Sequence, residues 1–157
     1  MRAESCIGCA ECIIRCPTGS VTINWNQTVP VFLEKMMEYT LGVLQNKKGK
    51  ALFINFITDV SSNCDCLPYS ASPIVNNIGV LASTDPVAID QASADLVNGQ
   101  AGLPGTALKL NLNPGEDKFK GLYPSVDWEH QLEYAESLGL GNRAYTLTRL
   151  KTKAYKS

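Results

Sequence analysis

Hydrophobic and polar positions change period several times along the chain, and each change predicts an element. Ser20 to Trp25 (SVTINW) alternates β-branched with polar residues, the period of two that belongs to a strand. Asn24, Asn26, Gln27, Thr28 and Pro30 then mark a turn. From Val31 to Gln45 the period lengthens. Leu33, Met36, Met37, Thr40, Leu41 and Leu44 fall at helical spacing and form an apolar stripe, in which the two methionines read as packing residues. Asn46 and Gly49 stop that helix. Ala51 to Ile57 (ALFINFI) is a near-continuous apolar run with Asn55 as its polar interruption, which predicts a strand covered on both faces.

Asp59 to Pro73 (DVSSNCDCLPYSASP) is a loop by composition, and Ile78 to Ala82 (IGVLA) predicts a second buried strand. Thr84-Asp85-Pro86 is a helix start, with the cap supplied by Asp85 or Thr84 and proline in the first turn. That helix runs to about Val97 and ends at Asn98 and Gly99; its small Ala88, Ala92 and Ala94 suit close approach to a sheet. Gln100 to Lys120 is loop-rich. Asp127 to Leu138 predicts another helix, with Trp128, Leu132, Ala135 and Leu138 on one face. Tyr145 to Leu150 reads as a last short strand, and Lys151 to Ser157 as a basic tail. The alternation implies a layered α/β or α+β domain over residues 31–150, behind a small ferredoxin-like lobe at 1–30 and before a tail at 151–157. Two buried strands do not make a covered sheet. Either further strands lie in the weakly patterned segments, or a partner chain, such as a second copy in a homo-oligomer, completes it.

Composition narrows the function classes. The 157 residues are 45% hydrophobic and 18% charged with a net charge of -1, so there is material for a core and no electrostatic footprint for nucleic acid. Lys47, Lys48 and Lys50 around Gly49 read as a solvated turn. No stretch reaches the roughly 20 apolar residues that cross a bilayer, and no signal peptide is visible. Six cysteines without an export signal point to a reducing compartment, the cytoplasm, where thiols serve as ligands.

The cysteines carry the chemistry. Cys6, Cys9, Cys12 and Cys16, followed by Pro17, form the C-x₂-C-x₂-C-x₃-C-P run of a bacterial-type ferredoxin. Two intervening residues let successive thiolates curl around one compact object. Disulfides at this spacing would be strained, and zinc sites more often use two separated C-x₂-C pairs. The expected cofactor is a [4Fe–4S] cluster held by Cys6, Cys9 and Cys12. Its fourth ligand is either Cys16 or a remote cysteine, Cys64 or Cys66, since in two-cluster ferredoxins the last cysteine of a run serves the other cluster. Cys64 and Cys66 flank Asp65 in a polar loop. They read as cluster ligands or, together with Cys16, as holders of a second cluster or a zinc ion. Ile7, Ile13 and Ile14 are expected to shield the cluster, with Gly8 allowing close backbone approach.

Other candidates are weaker. His130, the sole histidine, reads as a solvated surface residue, and Asp85, Asp90 and Asp95 as one cap and two surface charges. Tyr69, Trp25 and Trp128 read as aromatic packing, and no phosphate-binding fingerprint or nucleophile elbow occurs.

Beyond the cysteine run, Gly49 to Asn98 (GKALFINFITDVSSNCDCLPYSASPIVNNIGVLASTDPVAIDQASADLVN) and Glu116 to Gly141 (EDKFKGLYPSVDWEHQLEYAESLGLG) resemble domain-of-unknown-function family 362. The resemblance implies a ferredoxin-type cluster segment within a larger α/β domain, with a further α/β portion ahead of the cluster segment. Met1 lies only five residues before Cys6, so by this resemblance the chain looks like the C-terminal part of that architecture. The resemblance implies a cluster and a fold but no known reaction. The function expected is electron transfer to or from a redox partner protein; the rivals are an iron–sulfur enzyme acting at the Asp59–Pro73 loop and a structural metal module.

Overall fold

The computed structural model describes residues 11–22, 29–64 and 70–150. Along these the elements are α1 (Glu11–Arg15), α2 (Val29–Leu44), β1 (Phe53–Ile57), β2 (Gly79–Ser83), α3 (Pro86–Asn98), α4 (Lys118–Leu122) and α5 (Glu129–Ser137). The mixed α/β class expected from the pattern is present. β1 and β2 pair antiparallel, from Phe53 opposite Ser83 to Ile57 opposite Gly79. α3 lies on this pair, α5 packs on α3, and α2 packs on α5.

The two strands are not covered on both faces, as their apolar composition suggested. Burial alternates along each. Phe53, Asn55, Ile57 and Leu81 face α3, whereas Ile54, Phe56 and Val80 stand 50%, 71% and 59% exposed on the other side. An apolar run does not disclose its two faces when both are hydrophobic. Asn55 now has a reason: its amide donates to Asp90 Oδ1 and Ser93 Oγ, each at 2.9 Å, and so fastens β1 to α3. A two-stranded pair is marginal alone, and α3 supplies its cover. Among the described residues no further strand joins it; Ser20–Thr22 are irregular, the rest of the predicted early strand lies outside the described residues, and 145–150 is an irregular segment.

α3 begins as its sequence dictates. Asp85 is the N-cap, its Oδ1 accepting from the amides of Val87 and Ala88, each at 2.9 Å, with proline next in the first turn. Its Oδ2 accepts from Asn142 N at 2.9 Å, which draws the chain after α5 back to the start of α3. Gly141 is needed there, because a Cβ would collide with the Asp85 carboxylate. Asp90 and Asp95 are not merely surface charges: Asp95 accepts from Gln91 Nε2 and from Tyr145 Oη, which holds the C-terminal segment against α3.

α2 buries Leu33 and Met37, and Met37 sits in one core cluster with Val87 of α3 and Leu132 and Ala135 of α5. Met36 departs from the predicted stripe and is 39% exposed, beside Phe32, Tyr39 and Val43 on the open face. His130 is half-buried and bonded to Glu34 at 2.9 Å, and Tyr134 donates to Glu38, so two polar pairs bracket the α2–α5 contact. The solvated position expected for His130 is corrected by this partner on α2.

The loop-rich stretch is organised by Lys118, which is 0% exposed. Its three ammonium protons meet the carbonyls of Asn98, Asn113 and Glu116 at 3.2, 2.6 and 2.9 Å. Burial lowers its pKa below the usual lysine value, opposed by Glu116 and Asp117. Lys118→Met would leave those carbonyls dry, and a loss of about 3 kcal/mol is expected from urea unfolding. An unchanged midpoint would contradict this role.

Candidate metal centre

Two segments carry the described cysteines, and each has its own local geometry. The first follows α1, a single short helix with an Arg15–Glu11 bond at 2.7 Å and no buried residue. Ile14 is 78% exposed. The helix ends at Arg15, and the sequence Cys16-Pro17-Thr18-Gly19 makes a turn closed by Gly19 N donating to Cys16 O at 3.3 Å. Proline at the second position and glycine at the fourth suit such a turn, and Gly19 takes φ of 64°, which glycine adopts without strain.

That turn folds donors onto the Cys16 sulfur. The thiol lies 3.5 Å from Thr18 Oγ1, which in turn is 2.7 Å from Ser20 Oγ. With the Thr18 O–H given to sulfur, Ser20 O–H donates to the Thr18 oxygen. The Thr18 hydroxyl, then the backbone amides of Val21, Thr18 and Ser20, lower the Cys16 pKa from 9.0 to about 7. Cys16 is half-buried and Cys12, on α1, is exposed. A sulfur ringed by N–H and O–H donors is what a metal-bound thiolate requires. The C-P-x-G sequence was the signal for this turn, and the cysteine count alone passed over it.

The second segment is the connection between β1 and β2, Thr58 to Ile78, longer than the ~12–15 residues that structureless connections usually reach. Its base is shut. Ile74 N donates to Val60 O at 2.8 Å, Ile78 N to Ile57 O at 2.9 Å, and Asp59 N to Asn77 Oδ1 at 2.7 Å. Ile74 and Val75 are each 1% exposed and sit in the core with Ile57, Val97 and Leu108. Cys64 is exposed and follows the base that these bonds close. Asp59 at φ of 50° turns the chain into that connection.

Cys6, Cys9 and Cys66 lie outside the described residues, as do Ile7, Gly8, Trp25 and Tyr69. Among the described residues no three His, Cys, Asp or Glu side chains converge as a metal site. The donor set is nonetheless suited to a thiophilic metal: Cys12 and Cys64 are exposed, Cys16 is half-buried, and the Cys16 pKa is lowered to about 7. In metal-free protein, site-resolved alkylation of Cys16 by iodoacetamide should rise with pH through a midpoint near 7, because the thiolate is the nucleophile. Thr18→Val removes the largest cause and should move that midpoint up towards 9.0. An unchanged midpoint would show that the hydroxyl does not act on the sulfur.

No helix among the described residues is long and apolar enough to cross a membrane. No curated protein and no solved structure matches the chain. The family model described as Domain of unknown function (DUF362) matches residues 6–95, more than half of the 157-residue chain. The match spans the whole cysteine run, the β1–β2 connection with Cys64 and Cys66, and most of α3. The chain thus belongs to the DUF362 family.

Proposed function

We propose that this protein is an iron–sulfur protein whose [4Fe–4S] cluster passes single electrons to and from a redox partner protein. The observation that carries this is the run Cys6, Cys9, Cys12, Cys16, Pro17, whose spacing suits a cubane's corners and suits disulfides or a zinc ion poorly. The setting of Cys16 supports it. Donors from Thr18, Ser20 and Val21 favour the thiolate, and such hydrogen bonds to sulfur tune the potential of a bound cluster.

Cys6, Cys9 and Cys12 would hold the cluster, with the fourth place taken by Cys16, Cys64 or Cys66. The cluster would supply a one-electron couple, and the chain's own residues would fix its exposure and hydrogen bonding. If a loop cysteine serves as a ligand, the metal joins the front segment to the root of the β1–β2 connection. Any thiols left over could take a second metal. The cysteine usage suits a reducing compartment such as the cytoplasm.

Anaerobic reconstitution with iron and sulfide tests this. The protein is expected to gain a broad visible absorbance that bleaches with dithionite, and to give a reversible one-electron wave on voltammetry. Cys9→Ser should abolish both. A colourless protein that takes up zinc stoichiometrically would overturn the proposal. A coloured protein with no reversible wave would point to a structural metal module instead.

A further inference from the structure

We propose that Tyr123 is the positioning residue of the Cys64 arm, a strut that fixes where this thiol is presented. This rests on the metal-binding role given above to the β1–β2 connection. The Tyr123 hydroxyl donates to Ser62 O at 2.7 Å and lies 3.0 Å from Asn63 Oδ1, bridging 61 and 60 residues of sequence. Those are the two residues immediately before Cys64. Ser61 Oγ also donates to Asn63 O at 2.9 Å, so the arm is bent on itself where the phenol reaches it.

The strut is anchored at its other end. Tyr123 caps α4, its amide donating to Phe119 O at 2.8 Å. α4 starts at Lys118, whose ammonium is locked by carbonyls on both sides of the loop that precedes it. Phe119 and Leu122 of α4 pack on the same core as Ile74 and Val75, the descending side of the connection. The connection is therefore gripped twice, through its root by the core and through its rising arm by Tyr123.

Tyr123 is 47% exposed, so its ring adds little to the core. That separates positioning from stability. A ligand arm held by an outer hydrogen bond loses about 10-fold or more in metal affinity when that bond is removed. The phenol is too far along the chain to have been linked to Cys64 by any sequence pattern.

The test is Tyr123→Phe, which keeps the ring and removes the hydroxyl. In metal-free protein, the ¹⁵N heteronuclear NOE at Asn63 and Cys64 should fall, with Ile74, Val75 and the thermal midpoint unchanged. In iron- and sulfide-reconstituted protein, iron should be lost to a chelator about tenfold faster than from wild type. An unchanged NOE at both residues overturns the strut. A lower NOE with wild-type iron retention overturns its role in presenting Cys64 to a metal. A wild-type protein that takes up no iron overturns the cluster assignment instead, and the metal-free NOE still decides whether Tyr123 holds the arm.

Discussion

A lysine ammonium without water must have each of its three protons accepted, and the fold around Lys118 is arranged to do so. The acceptors come from Asn98 at the end of α3 and from Asn113 and Glu116 in the long irregular stretch. Meeting that demand folds the stretch back onto α3. Asn98 Oδ1 also accepts from Lys118 N, so the start of α4 is fixed in backbone and side chain together. From there Asp117 extends the arrangement: Oδ1 caps α4 at Lys120 N and Oδ2 accepts from Trp128 Nε1 at 3.0 Å. One buried charge thus sets α4, orients the approach to α5 and places Tyr123 against the connection that carries Cys64.

The sheet serves this arrangement more than it dominates it. β1 and β2 are short, and α3 covers one face. What they provide is two fixed ends for a long connection, shut at its base by Val60 and Ile74. Asp85 performs a similar service on the opposite side. It caps α3 with one carboxylate oxygen and holds Asn142 with the other, so that α5 and the segment after it stay on α3. Of the described cysteines, Cys12 lies on the short α1, and Cys16 and Cys64 lie on irregular segments.

The sequence patterns were most informative where one residue type has one strong local consequence. Asp85-Pro86 marked the start of α3 and Asn98-Gly99 its end, because capping and proline geometry act within a turn. The face of α5 with Trp128, Leu132, Ala135 and Leu138 was legible for the same reason of period. Faces were not legible where both were apolar. Ile54 and Phe56 look like core residues in the chain and stand exposed, as does Met36 on α2. Partners far apart in sequence were invisible: Lys118 reads as one more loop lysine, His130 as a surface residue, Asn55 as an interruption. Each was explained only when the fold supplied Asn98, Glu34 and Asp90. At the candidate site, the cysteine spacing named the chemistry, whereas the donors around Cys16 and the phenol beside Ser62 needed coordinates.

If Cys64 or Cys66 completes the cluster proposed on the front run, the two cysteine-bearing segments are halves of one metal assembly. Iron and acid-labile sulfide per chain, measured on anaerobically reconstituted wild type and on the Cys64→Ser/Cys66→Ser double variant, test it most directly. The account predicts about four of each in the wild type and fewer in the double variant. Equal iron and sulfide in both proteins would detach the loop from the metal, and a wild type without sulfide would contradict the cluster altogether.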